Sequence, residues 1–137
     1  MKRNSRRTLI AALVVACMAA PALAASPEGT WLTQSGKTKV TIAPCEAALC
    51  GTIVWLAMPG KDAKNPKAGA RDRDLVGSQM IYAMQPDGEG WKGKLYDYEN
   101  GKTYTGKISL TGDGGLKLSG CILGGALCRS QIWTRAQ

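Results

Sequence analysis

The sequence predicts an all-β domain: a small antiparallel, mostly meander β-barrel of about eight strands in residues 25–137. Three observations carry that prediction. Apolar and polar residues alternate in short runs with the period of two that a half-buried strand requires, and helical periodicity is almost absent. Clusters of Gly, Pro, Asn and Asp, which favour tight turns, separate the runs. Consecutive hairpins make a meander, and an open meander leaves two unpaired edges that closure into a barrel removes.

The elements follow in order. Gly29–Thr33 is a first strand carrying Trp31. Lys37–Ala43 sets Val40 and Ile42 on one face and Lys39 and Thr41 on the other. Pro44 to Leu49 is a turn, and Cys50–Met58, apolar on both faces, reads as a strand covered on both sides. Pro59–Asp74 is a long polar connection; such a length inside a compact domain marks function or mobility. Leu75–Met84 and Gly90–Tyr98 are strands split by the turn Gln85-Pro86-Asp87-Gly88. Asn100-Gly101 signals a two-residue hairpin. Lys102–Thr111 places Tyr104, Ile108 and Leu110 opposite Thr103, Thr105, Lys107 and Ser109. Leu116–Ile122 and Leu127–Arg135 are the last two strands. No repeat, low-complexity tract or linker points to a second domain.

The N-terminus reads as a cleavable signal peptide over residues 1–24. Lys2, Arg3, Arg6 and Arg7 precede an apolar run from Leu9 to Ala20, and Ala22-Leu23-Ala24 supplies small residues before a cleavage point. The run falls short of the roughly 20 apolar residues of a membrane span, and no later stretch approaches that length, so no transmembrane segment is expected. The protein is therefore expected to be exported and periplasmic. An alternative is that it is secreted. Another is that it is lipid-anchored through Cys17, because Val14-Val15-Ala16-Cys17 loosely resembles a lipoprotein box. The signal holds four of the 18 basic residues and none of the 10 acidic ones, which leaves a net charge of +4 after cleavage. That modest value argues against a nucleic-acid partner.

Four further cysteines remain: Cys45, Cys50, Cys121 and Cys128. An even count in an exported chain points to two disulfides. Cys45–Cys50 and Cys121–Cys128 are the favoured pairs, since each flanks a short turn between strand-like runs. Zinc is the weaker alternative, because the spacings are too wide and no His assists. No metal or other cofactor is expected. The absence of His also removes the usual general base and excludes a conventional serine triad.

Several residues could bind or react. Gly29-Thr30-Trp31, with Arg135 at the end of the last strand, resembles the lipocalin pattern, in which the Trp plugs one end of the barrel under the Arg. The resemblance gives Gly29, Trp31 and Arg135 a structural role, with a cation–π contact between the ring and the guanidinium. Arg71 and Arg73 could clamp an anion with their planar forks; the plainer expectation pairs them with Asp72 and Asp74. Asp97 and Glu99 could act as the paired carboxylates of a hydrolase, against the plainer role of solvated groups beside a hairpin. Tyr96, Tyr98 and Tyr104 fit cross-strand packing better than a stacking platform. Asp62-Ala63-Lys64-Asn65 lacks the acidic spacing and Gly of a calcium loop.

Taken together, the segments Gly29-Thr30-Trp31, Val40-Thr41-Ile42, Pro44-Cys45, Leu49 to Leu56, Asp62, Asn65-Pro66, Arg71-Asp72-Arg73, Leu75-Val76-Gly77, Tyr96-Asp97, Gly101 to Tyr104 and Gln131 to Arg135 resemble the bacterial exported family called domain of unknown function 2147. The family has Pro where Tyr98 and Asp74 stand and Asp where Asn100 stands. The resemblance implies a β-barrel in the cell envelope and no particular activity.

The leading expectation is an envelope protein, not an enzyme, that binds a small apolar or lipid-like ligand inside the barrel. Trp55, Arg71, Arg73, Tyr96, Tyr104 and Trp133 are its candidate ligand-binding residues. The second expectation is a structural or partner-binding protein with a solid barrel, filled by Trp55, Trp91, Tyr104, Trp133 and aliphatic residues. The third is a hydrolase using Asp97 and Glu99.

Overall fold

The computed structural model describes residues 12–19 and 25–137. The predicted export signal, residues 1–24, falls mostly outside them. Residues 12–19 are exposed and irregular, and Cys17 among them is a free thiol.

Eight strands close into one antiparallel barrel: β1 (Gly29–Leu32), β2 (Thr38–Cys45), β3 (Ala48–Leu56), β4 (Gln79–Asp87), β5 (Gly90–Asp97), β6 (Lys102–Leu110), β7 (Leu116–Ile122) and β8 (Leu127–Arg135). Each strand pairs with its neighbour in sequence, and β8 returns to β1 through Trp31↔Arg135 and Leu32↔Thr134. The alternation of β7 shows why the chain closes this way. Leu116 and Leu118 are buried, while Lys117 between them faces water.

The ends of the barrel differ. One end carries the turns Glu46-Ala47, Gly88-Glu89 and Thr111 to Gly115, together with Ser26–Glu28 and the C-terminus. It is plugged. Trp31 is fully buried there, its ring lies under the Arg135 guanidinium at 4.1 Å, and its indole N–H donates to the Pro27 carbonyl at 2.8 Å. Arg135 also donates to the carbonyls of Glu28 (2.6 Å) and Ser26 (3.2 Å), binding the entering chain across the plug. Gly29 has φ +125°, and a Cβ there would collide with the Arg135 guanidinium, so both backbone and space require glycine.

Trp31, Val40, Ile42, Ile81, Met84, Ile108, Leu116 and Trp133 form the core above the plug. A second, smaller cluster of Ile53, Leu56 and Leu75 sits under the β3–β4 connection, near the other end. Both expected disulfides are present. Cys45–Cys50 braces the plugged end and Cys121–Cys128 braces the β7–β8 hairpin at the opposite end.

Several boundaries depart from the sequence expectations. β4 starts at Gln79, because Leu75 to Ser78 is a turn closed by Ser78 N–H and Oγ, both donating to the Leu75 carbonyl. β4 then runs through Pro86 and Asp87, so the turn there is Gly88-Glu89 alone. The β5–β6 loop has four residues, Tyr98 to Gly101, not two. The Asp97 carboxylate accepts the Glu99 N–H (2.9 Å), and the Asn100 side chain accepts the Lys102 N–H (2.9 Å), which fixes the wider turn. β3 is not covered on both faces. The β2–β3 register shifts between Lys39 and Val40, skipping Val54, and this bulge turns both Val54 and Trp55 outward.

Candidate functional site

At the end opposite the plug the barrel is hollow. A cavity of about 770 Å³ opens there. Its wall and floor are apolar: Met80 on β4, Leu95 and Tyr96 on β5, Tyr104 on β6, Leu118 on β7 and Trp133 on β8. Leu95, Tyr104, Leu118 and Trp133 are inward positions on four successive strands, so the strand alternation that builds the core also builds much of the cavity. Gly120, one inward position beyond Leu118, leaves room where a side chain would stand. The rim is polar, with Asp97, Glu99 and Asn100 on one side and Arg129 and Gln131 on another. Most rim groups are already held in place. Tyr98 Oη and Thr38 Oγ1 share a hydrogen bond of 2.8 Å. Asn100 donates to Tyr104 Oη at 2.9 Å, and Trp133 Nε1 donates to Gln131 at 3.1 Å.

The mouth widens on one side because β1 stops at Leu32. The first half of β8, Leu127 to Gln131, therefore has no β1 partner. Gln34 reaches from the β1–β2 loop to accept the Ile132 N–H (2.9 Å), and this contact ends the gap.

The long β3–β4 connection straps the neighbouring part of the rim. Its anchor is Asp62, whose side chain is fully buried. Tyr96 Oη donates to one carboxylate oxygen at 2.6 Å. The other oxygen accepts Asn65 Nδ2 (2.8 Å), Arg73 Nε (2.9 Å) and Arg73 Nη2 (2.7 Å). Burial opposes ionisation of Asp62, but these hydrogen bonds and the Arg73 charge outweigh it and hold the carboxyl below its ordinary 3.8. Burial and the same carboxylate push the Tyr96 hydroxyl up to about 12. The strap also crosses Gly101, whose missing side chain admits the Lys64 carbonyl.

The structure sorts the candidate binding residues. Tyr96, Tyr104 and Trp133 line the cavity. Trp55 does not: the bulge leaves it 42% exposed on the outer wall, with the Lys39 ammonium 5.4 Å from its ring. Arg71 and Arg73 do not face the cavity either. Arg71 donates to the Asn65 carbonyl (2.8 Å), and Arg73 is spent on Asp62. The expected self-pairing of the Arg-Asp run is also replaced, since Asp74 pairs with Lys61 at 2.6 Å. Asp97 and Glu99 both reach the rim, where the Asp97 carboxylate is engaged by its own turn. The solid barrel filled by Trp55, Trp91, Tyr104 and Trp133 is not what forms, because Trp55 lies outside and the cavity stays open. Sequence reasoning missed Met80, Leu95, Leu118 and Gly120 as cavity residues, although the alternation of β7 already placed Leu118 inward. It also missed Asp62 as the anchor of the strap. Among the described residues, no group of three or more His, Cys, Asp or Glu side chains could hold a metal, and no helix is long and apolar enough to cross a membrane.

Comparison with known proteins agrees with this architecture. Among solved structures, Helicobacter pylori protein HP1028, described as belonging to the lipocalin family, superposes with a TM-score of 0.73 over 82% of this chain and 84% of that one. The two share 20% sequence identity, so the likeness is one of fold. No curated protein matches the sequence. The family model described as "Uncharacterized protein conserved in bacteria (DUF2147)" matches residues 29–135, from the first residue of β1 to the last of β8. With its plugged, half-hollow, eight-stranded barrel, the chain belongs to the DUF2147 family.

Proposed function

We propose that this protein is an exported, non-catalytic envelope protein that binds one small amphipathic ligand, largely apolar or lipid-like, in the open end of its barrel. The observation that carries the reading is the cavity: about 770 Å³, with an apolar floor and a polar rim. Binding pockets for small molecules are typically about 300–1,000 Å³ and mostly apolar with a few polar groups that set orientation. An eight-stranded barrel is just wide enough to hold one such ligand. The apolar part of the ligand packs against Trp133, Leu118, Leu95 and Met80, walled by Tyr96 and Tyr104. Its polar end meets Asp97, Glu99 and Arg129 at the rim. The two disulfides suit an oxidising compartment, which supports export to the periplasm.

The test is native mass spectrometry of protein purified from the periplasm without detergent. The reading predicts a co-purifying mass of a fatty acid, isoprenoid or lysolipid in a 1:1 complex. A clean apo mass, with no member of those three classes retained on screening, refutes it.

A further inference from the structure

Of the eight large apolar side chains that the described barrel exposes, Val54, Trp55 and Ile132 stand on its outer wall, and the other five are gathered at one end. Leu123 (76% exposed), Leu127 (57%) and Ile122 (46%) cluster at the β7–β8 hairpin tip, and Met58 (86%) and Val76 (40%) stand on the β3–β4 strap. All five belong to the mouth end. The plugged-end turns expose no large apolar side chain among the described residues. The hairpin tip, Leu123-Gly124-Gly125-Ala126, is uncharged, and the Cys121–Cys128 disulfide clamps its base. From Gly114 to the C-terminus the chain has no acidic residue.

Charge is divided along the same axis. Glu28, Glu46, Asp87, Glu89 and Asp113 all lie at the plugged end, where Arg135 is the one base among the described turns and termini. The mouth-end loops and adjoining strand ends carry the other five acids against eight Lys or Arg residues, a net of +3. Asp62 is buried among those acids and Asp74 is paired with Lys61, while Lys37, Lys64, Lys67 and Arg71 are exposed. The result is a molecule with an acidic base and a basic, apolar-tipped mouth. A flat anionic surface with an apolar interior is complementary to that mouth in both respects. Basic residues gain energy near anionic lipid headgroups, and apolar side chains gain it by entering the acyl boundary.

We infer that the mouth end is a docking surface for an anionic lipid bilayer, with the β7–β8 hairpin tip seated in the interface and the strap lysines over the headgroups. The inference deepens the ligand-binding reading, because docking turns the cavity toward the acyl layer that would supply a lipid-like ligand. The rigid hairpin carries Ile122 and Leu127 into the cavity wall itself, so the surface that docks is continuous with the surface that binds.

The test is flotation of the purified full-length mature protein with large unilamellar vesicles. One set contains phosphatidylglycerol and phosphatidylethanolamine in equal parts, and the other contains phosphatidylcholine alone. The inference predicts binding to the anionic vesicles, weakened by salt, and little to the neutral ones. Leu123→Asp, at an exposed tip, and the pair Lys64→Glu/Lys67→Glu should each weaken binding by about tenfold or more. Lys92→Glu, on the barrel wall, should change it less than about twofold. Gly120→Leu, which fills the cavity, should leave vesicle binding intact, so docking and ligand binding fail separately. The inference is overturned if folded wild-type protein does not float with anionic vesicles. It is equally overturned if Leu123→Asp leaves flotation unchanged, or if that variant dissociates a wild-type dimer, since the occupant of the tip would then be a second copy.

Discussion

Asp62→Ala should be among the most damaging substitutions outside the core. In the folded protein the Asp62 carboxylate accepts from Tyr96, Asn65 and twice from Arg73, at 2.6 to 2.9 Å. Removing it strands two buried groups, the Tyr96 hydroxyl and the Asn65 amide, whose residues are 6% and 7% exposed. Arg73 is less affected, because its side chain is 44% exposed and can turn to water. Each stranded buried donor costs about 1–3 kcal/mol. With partial relief from water entering the vacated space, a total of about 3 kcal/mol is expected. For a domain of this size that lowers Tm by about 12 °C, at roughly 4 °C per kcal/mol. The assay is thermal unfolding by circular dichroism, with urea unfolding to confirm an unchanged m-value. The pH dependence gives a second readout. The folded carboxyl lies below its ordinary 3.8, so its contribution is complete above that value and is lost as pH falls through the folded pKa. Wild type should therefore lose stability below about pH 4, and Asp62→Ala should flatten that acid limb. A Tm within 2 °C of wild type, with the acid limb unchanged, would show that the cluster does not hold the strap (about 0.5 kcal/mol on the same scale).

Tyr96 gives the opposite limb. Its hydroxyl is raised to about 12, so its contribution is whole below pH 10 and disappears between pH 10 and 12. That contribution is on the order of 2–3 kcal/mol, and Tyr96→Phe should abolish this alkaline loss in denaturant titrations at fixed pH. Gly29→Ala should cost about 1–3 kcal/mol, since it meets both a positive φ and the Arg135 guanidinium; equilibrium urea unfolding measures it, and a neutral result would contradict the plug geometry. The disulfides close short loops, so chain entropy gives each only about 2 kcal/mol. Non-reducing peptide maps should show residue 45 joined to 50 and 121 joined to 128, and reduction should lower Tm without unfolding the barrel at 25 °C (a total loss of about 4 kcal/mol, within the 5–15 kcal/mol of a typical domain).

Where one face is buried and the other solvated, the chain announces its own structure. β7 begins and ends where alternation and turn residues place it, and the short cysteine loops pair across their own hairpins. Gly29, Trp31 and Arg135 drew attention through their resemblance to the lipocalin pattern, and closure of β8 onto β1 puts Trp31 and Arg135 side by side. Bulges were not. Nothing local to Val54 and Trp55 announces the register shift beside them, and one skipped residue moved Trp55 from the expected interior to solvent. Asp62 was hidden for a different reason. Its partners stand 3, 11 and 34 residues away, and only the strap's path over the rim brings them together. Arg71 and Arg73 drew attention as an exposed charge run, yet their hydrogen bonds fix the strap and leave the cavity to residues with no conspicuous chemistry.

The central claim is that the hollow end of the barrel is a binding site. Gly120 tests it most directly. It lines the cavity, its φ is not in the left-handed region, and a Cβ there would make only ordinary contact with Tyr104, at 3.6 Å. Gly120→Leu should therefore fold while filling the space a ligand needs. The measurement is fluorescence titration with the polyene fatty acid cis-parinaric acid, using the transfer from cavity tryptophan Trp133 as the signal. The account predicts saturable 1:1 binding to wild type and at least about a tenfold loss of affinity in Gly120→Leu, equivalent to about 1.4 kcal/mol, at unchanged circular dichroism. Equal binding by the two proteins, or none by folded wild type, would contradict it.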